Sequence, residues 1–570
     1  MEEESKELLF RLLDNPDLWR ERAVEQIELT DELWSDRERV IDVKPFTEVA
    51  ATRDHNGDPK PEAIEIGRIL EGLEERNDGA GRGRFAEVLL PITSLPKMPI
   101  LAFEVKVDGN PIHRVPRDAN GDLQARYFAH LARRAGYRAP ISEMLLLLLS
   151  CIFSFSSSTW RDFEHDSRRP HSLIARFFKG NLETYDPVYD YIQRRQGSDK
   201  KIDAAMYARW QRISGEIRDR VVLRHVTPNV RSAAENPLLA IPKLCRRLPK
   251  LQEDDTTQED YITAVLMDLR DVLRFAQGEL QADPLNLHSP AYKLVSTYAS
   301  YGRRWEAVAK CRIPLDRPLK ISVKDRRMMD FHSPEHHSLF SRKIEDRRSV
   351  AHYQISFADA VSNHLHITIP DQHVQFKPRR CRARDNTWNH LSPQVAGSPD
   401  DEQKTRESYS RYDTKPRVDQ IWIELHLCQI WVRSSATIGV ALATAAALVL
   451  LIHFAWGFLW WHYDPNARLN GADVVAILLP VTVAASLALA RESSTLGMRV
   501  KSNKQYVLMA ALGALWVVTV IAYFQDRIAI DTLHQAHAQA AAQYQLLLAA
   551  RPSGSACNTT SLVLRCLTRS

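Results

Sequence analysis

A chain of 570 residues, 44% apolar and 26% charged, has room for about three or four domains and is too apolar for a disordered polyelectrolyte. Its net charge of +5 gives no argument for a nucleic-acid partner. Its seven cysteines show no CxxC pair, so no zinc-finger or dithiol motif is present.

Met1 to about Arg20 reads as a short amphipathic helix, with Leu8, Leu9, Leu12 and Leu13 at helical spacing. Its acidic front lacks the basic start and apolar core of a secretory signal. Extended runs follow at Val24–Leu29 and Val40–Val49, separated by the polar stretch Asp31–Arg39. Pro61–Leu73 reads as helix. The Gly79–Arg84 loop fails the GxGxxG spacing of a phosphate cradle. Phe85–Ile92 and Ile100–Val107 are the best strands here, and Asp108-Gly109 is a tight-turn pair that returns the chain at Pro111. Residues 1–120 are therefore expected to form a β-rich module.

Leu123–Ala135 and Ile141–Phe155 read as helices, the second too short in its apolar part to span a bilayer and expected to be buried. The region 121–318 is expected to be mainly helical, with an acidic, solvated loop at Leu251–Asp260. From Leu319 the pattern becomes extended again, giving an antiparallel β module at 319–433 interrupted by a mobile polar loop at 392–414.

Three runs without Asp, Glu, Lys or Arg then follow, Ala436–Trp461, Val474–Ala490 and Tyr506–Phe524. Their lengths predict three transmembrane helices within 434–524. The second run contains Pro480 and could also be read as a re-entrant hairpin. Arg499, Lys501 and Lys504 make the connector between the second and third runs basic, which by the positive-inside rule places it and the N-terminal body in the cytoplasm. Residues 525–570 become an external helical stalk and tail, in which Cys557 and Cys566 are expected to form a disulfide and Asn558 opens a glycosylation sequon. His453, inside the first run, is a titratable group near its outer end. The expected localisation is a multi-pass cell-membrane protein.

Eight histidines lie between His332 and His390. His364 and His366 are two apart on a predicted strand, so their rings share a face and form a candidate metal pair, with Asp330, Glu335 or His352 as possible further ligands. Surface and packing histidines explain the same pattern. Lys377, Arg379, Arg380, Arg382 and Arg384 form a basic run suited to anionic lipid headgroups, or equally a solvated basic face. No nucleophile elbow, Walker loop or HExxH is present, so no catalytic or cofactor-binding residue is assigned.

The chain resembles a group of actinobacterial integral membrane proteins of uncharacterised activity. The likeness runs through Val88-Leu-Leu-Pro-Ile-Thr, Val105-Lys-Val-Asp-Gly-Asn-Pro-Ile, Ile313-Pro-Leu-Asp-Arg-Pro-Leu, His352-Tyr-Gln-Ile, His364-Leu-His-Ile and Ile421–Leu427, and continues through the first two apolar runs to Arg499. The resemblance implies architecture only. The expected fold is multidomain α+β, with β-rich and helical modules on a three-helix transmembrane anchor. Its expected role is a membrane-anchored binding or sensing module with a protein partner, with an oligomeric effector or channel, or a hydrolase, as alternatives.

Overall fold

The computed structural model describes most of residues 2–429, residues 494–500 and helical residues between 513 and 549; the longest segments outside it are 156–186, 332–349, 430–493 and 550–570. Two units are distinguished, Met1–Ile430 with Glu492–Val500, and Trp431–Arg491 with Lys501–Ser570. In the second unit residues 531–532 and 534–546 are helical and exposed, as the Ala- and Gln-rich composition there favours.

The first unit is mixed α+β, and its centre is a sheet that collects strands from both ends of the chain. β1 (Arg20–Leu29) and β2 (Trp34–Val43) form a hairpin; β3 (Phe85–Pro96), β4 (Ile100–Val107) and β5 (Asn110–Pro111) follow, and then β6 (Arg304–Pro314) and β7 (Leu319–Met328) after the helical region. Beyond them come β8 (Val350–Ser356), β9 (Ser362–Thr368), β10 (Val374–Arg384), β11 (His390–Leu391), β12 (Val395–Gly397), β13 (Glu407–Asp413) and β14 (Gln420–Gln429). Eight of these form one sheet in the order β12-β13-β9-β1-β2-β7-β4-β5, four form a second in the order β11-β10-β14-β8, and β3 pairs with β6.

Strands expected in two separate β modules are thus hydrogen-bonded neighbours. β2 pairs antiparallel with β7 from Trp34↔Met328 to Val43↔Leu319, and β1 pairs parallel with β9 from Arg22↔Ser362 to Glu28↔Thr368. The reason is burial: Ala23 and Ile27 on β1, Ile41 and Val43 on β2, and Ile321 and Val323 on β7 all turn to the same inner face, which no local hairpin could cover alone. The Asp108-Gly109 turn is as expected, with positive φ at both residues (49° and 81°), the backbone a two-residue hairpin requires.

Two apolar clusters cover that inner face. One contains Ala23, Ile41, Val43 and Ile321, and is closed by the β3–β6 pair and by α1 (Glu2–Asp14), α2 (Pro16–Trp19), α3 (Phe46–Ala50) and α4 (Pro61–Leu73). The other contains Ile27, Leu29, Leu365 and Ile367, and is closed by Ala351 and Ile355 of β8, Val374 of β10 and Ile423 and Leu425 of β14. Full burial of each such side chain contributes about 1.5–3 kcal/mol.

A helical layer has its own core. α5 (Arg117–Arg134) and α6 (Glu143–Phe153) pack with α7 (Pro187–Arg195), α8 (Ala204–Val221), α9 (Ile241–Arg247), α10 (Gln258–Ala282) and α11 (Pro290–Arg303) around Phe128, Phe153, Trp210 and Tyr298. The apolar run of α6 is buried, as its length predicts, and Ser142 Oγ caps it by accepting the Leu145 N–H at 3.1 Å.

The multi-pass membrane assignment is corrected. Among the described residues no helix is long and apolar enough to cross a membrane. The runs 436–461, 474–490 and 506–524 lie almost wholly outside the described residues, as does His453. The basic connector, read from its charge as a short cytoplasmic loop between two spans, packs into the first unit at residues 494–500. Leu496 and Val500 are buried in the second β core, Ser494 Oγ donates to Asp371, and the Leu496 N–H donates to the Asp31 carbonyl at 2.9 Å. The charge count overlooked the apolar residues spaced four apart that fasten this segment down.

Candidate functional site

Between the two β cores the same sheet face carries charge. On β1, β2 and β7 the inward positions hold Glu25, Arg37, Arg39, Asp325 and Arg327, each 5–7% exposed. The register places them on a diagonal: Glu25 faces Arg39, Arg37 faces Asp325, and Arg327 faces Ser35. Apolar residues flank the diagonal on both sides, so the two cores meet across an ionic seam.

Other elements complete it. Arg20, at the start of β1, donates from one terminal nitrogen to Asp359 Oδ2 at 2.7 Å and from the other to the Pro91 carbonyl at 2.7 Å. That carbonyl is exposed to Arg20 because β3 shifts register between Pro91 and Thr93, and Pro91 has no N–H to give a ladder. The same irregularity brings Thr93 and Ser94 to the seam. Opposite them on β6, Glu306 pairs in register with Ser94, and Arg304 with Pro96.

The ion pairs are closely made. Arg37 donates to Glu25, whose other oxygen takes Arg39 Nη1 at 3.5 Å; Arg39 also reaches Asp359. Arg327 grips Asp325 through two bonds of 2.6 and 2.7 Å. The Nε atoms of Arg20 and Arg37 are buried with no hydrogen-bond partner among the described residues. Glu25, Arg37, Arg39, Thr93, Ser94, Val323, Asp325 and Arg327 line a cavity of about 10 Å³. That is room for about one water, and for no organic substrate.

Like charges crowd each other here, and the protonation equilibria show it. Burial, then Arg327 and Arg37, pull the Arg304 guanidinium down to about 9. Burial, then Arg37, pulls Arg327 down to about 10, Asp325 opposing. Burial also lowers Arg20, against Asp359. Burial works against Arg37 as well, but the adjoining Glu25 and Asp325 outweigh it and hold its equilibrium above the usual value. Half-buried Glu306 is pushed up to about 7 by burial, with Arg20 pulling the other way and Asp359 reinforcing the rise.

A second ionic cluster fastens the N-terminal helix. The Asp14 carboxylate, 1% exposed, is met by Tyr127 Oη at 2.8 Å, His130 Nε2 at 3.1 Å, Lys293 Nζ at 3.0 Å and Arg134. Lys293 also donates to the Asp14 carbonyl at the C-terminal end of α1, where a cation is favoured. Burial opposes ionisation of Asp14, but the bond to His130 and the charge of Lys293 prevail and hold its carboxyl well below the usual range.

A third cluster gathers at the C-terminal end of α6, where Lys97 Nζ donates to the Ile152 carbonyl at 3.3 Å, Lys243 Nζ to Ser154 Oγ at 2.8 Å, and Arg247 to Ser150 Oγ at 2.8 Å. A serine beside a lysine suggests a nucleophile and base. The bonding argues otherwise: Ser154 Oγ donates to the Ser150 carbonyl, and Lys243 Nζ is engaged by Asp118 at 2.6 Å as well as by Ser154. These cations cap a helix end.

The residues singled out in sequence lie elsewhere. His364 and His366 do share one face of β9, the face opposite the seam, and His364 Nδ1 is hydrogen-bonded to Tyr409 Oη at 2.6 Å. His352 lies in the other sheet, on β8. Asp330 and Glu335 lie outside the described residues. Among the described residues no group of three His, Cys, Asp or Glu could hold a metal ion. Lys377, Arg379, Arg380, Arg382 and Arg384 all fall on β10; Arg382 is exposed, whereas Arg384 is turned to Glu424 at 3.0 Å. Cys557, Cys566 and Asn558 lie outside the described residues.

The seam itself was missed because Asp31–Arg39 looked like a polar connection. The signal was there in Trp34-Ser-Asp-Arg-Glu-Arg-Val-Ile-Asp-Val, where every second residue from Ser35 to Val43 faces inward. No protein-family model, curated protein or solved structure matches this chain.

Proposed function

We propose that the chain is a binding or sensing module, and that the ionic seam is the element that responds. The observation that carries this reading is the placement of paired guanidinium and carboxylate groups between two complete apolar cores on one sheet. Buried ion pairs add little stability over well-packed apolar side chains of similar volume. Their best-attested use is to set a register or a switch. Here the switch would lie in how the two cores are held across β1, β2 and β7, with Glu306 changing charge near neutrality among the arginines.

A hydrolase needs space for its substrate beside a nucleophile or activated water, and the seam cavity holds about one water. The binding reading is therefore favoured. Thermal denaturation of the intact chain across pH 5–8 tests it. The midpoint should fall as pH rises through about 7, and Glu306→Gln should flatten that dependence. A wild-type midpoint as flat as that of the variant would contradict the reading.

A further inference from the structure

The seam cavity has the donors for a ligand as well as the walls. Its lining contains three guanidinium groups, Arg37, Arg39 and Arg327, against two carboxylates, Glu25 and Asp325, an excess of one positive charge. Both carboxylates are engaged: Glu25 accepts from Arg37 and Arg39, and Asp325 is held through both oxygens by Arg327. Asp359, beyond the lining, also takes Arg39 but is shared with Arg20, so across the seam the five guanidinium groups Arg20, Arg37, Arg39, Arg304 and Arg327 face the four carboxylates Glu25, Glu306, Asp325 and Asp359. The Arg37 side chain is 5% exposed, and its Nε–H, a donor only, is without a partner among the described residues. A buried donor of this kind is costly to leave unmade. Thr93, 3% exposed, and Ser94 close the same wall from β3.

Size then selects the ligand. A space of about 10 Å³ excludes phosphate, sulfate and carboxylate metabolites, and admits a single centre about the size of one water. We propose that the seam cavity binds one monatomic inorganic anion, a halide of chloride size, held by the guanidinium groups of Arg37, Arg39 and Arg327 that line it, with Thr93. One negative charge offsets that excess. It also relieves the mutual repulsion of Arg37, Arg327 and Arg304, so the anion tightens the two cores against each other. This rests on the reading of the seam as the responsive element and names what it responds to besides protons.

The test is thermal denaturation of the intact chain at pH 6, titrated with sodium chloride or bromide against sodium gluconate at equal ionic strength. The halides should raise the midpoint along a saturating curve and gluconate should not. Thr93→Val keeps the shape of the side chain and removes a donor. It should raise the halide concentration for half the effect about tenfold, the loss of one hydrogen bond to a charged group. Arg37→Lys keeps the charge facing Glu25 but removes Nε, and should do the same. Equal effects of halide and gluconate, or an unaltered halide curve in Thr93→Val, would overturn the anion site. If the pH dependence of the midpoint persists in that case, the responsive-seam reading survives. If the wild-type midpoint is also flat from pH 5 to 8, the reading fails with it.

Discussion

At the Asp14 site one carboxylate sits among four donors; at the seam five guanidinium groups, Arg20, Arg37, Arg39, Arg304 and Arg327, share four described carboxylates. Both clusters are buried at the centre, yet their equilibria move in opposite senses. Asp14 is held firmly ionised by its surroundings, whereas Arg304 and Arg327 are driven toward losing their protons and Glu306 toward keeping one. A charge ringed by complements makes a fixed joint. Charges crowded with their like make an element whose state depends on protons and ions.

The sharpest test of this contrast lies at Asp325 and Arg327, side chains 5% and 8% exposed. Asp325→Ala alone leaves Arg327 buried without its carboxylate, and should cost about 3–5 kcal/mol in chemical denaturation. Asp325→Leu with Arg327→Met replaces the pair by apolar groups and should leave stability unchanged or raise it by about 1–4 kcal/mol. A double variant as unstable as the single one would make the pair a structural necessity and erase the distinction.

Asp14→Asn should lower stability by about 3 kcal/mol at neutral pH, because Lys293, Arg134 and His130 lose their common counter-charge. The folded state holds this carboxyl well below its unfolded value, so the stabilisation is complete above about pH 4 and is lost as pH falls further. Denaturation midpoints compared at pH 7 and pH 3 should show the variant and the wild type converging at the lower pH.

Glu306 should behave in the reverse sense. Its folded equilibrium, raised to about 7, lies above the unfolded value of about 4.3, so its contribution is complete below about pH 4 and is lost as pH rises through 7. The change should be on the order of 3–4 kcal/mol, read as the difference between wild type and Glu306→Gln across that range.

On the outer face of the same sheet, Lys324 pairs with Glu38 at 3.1 Å, half in solvent. Lys324→Ala should change stability by less than about 1 kcal/mol, and salt should remove even that. A larger loss would mean that the two faces of the sheet do not differ as described.

Legibility in sequence followed the range of the contact. The Asp108-Gly109 turn, α1 with its leucine stripe and the buried α6 are decided by neighbours within a few residues, and patterns of that length exposed them. β1 meets β9, and β2 meets β7, across roughly three hundred residues, and nothing local in Val24–Leu29 specifies a partner at Ser362–Thr368. The split into an N-terminal and a C-terminal β module followed from that. Arg37 and Arg39 fell within the stretch read as a polar separator between two strands, and only the partners Glu25, Asp325 and Asp359 make their burial possible. His364 and His366 showed the right alternation, but strand period gives no information on which face is covered. Within the connector the charge pattern gave no sign of packing: Arg499 lies 5.5 Å from the Phe331 ring while Leu496 and Val500 are sunk in the core.

The most direct test of the responsive seam is native-state hydrogen exchange on the intact chain at pH 6 and pH 8, with rates corrected for intrinsic chemistry. The amides of Glu25, Arg37–Arg39 and Asp325–Arg327 should lose protection at pH 8, while those at Ile41, Ile321, Ile367 and Ile423 keep theirs. Protection that is unchanged at the seam, or that falls equally in both cores, would contradict it.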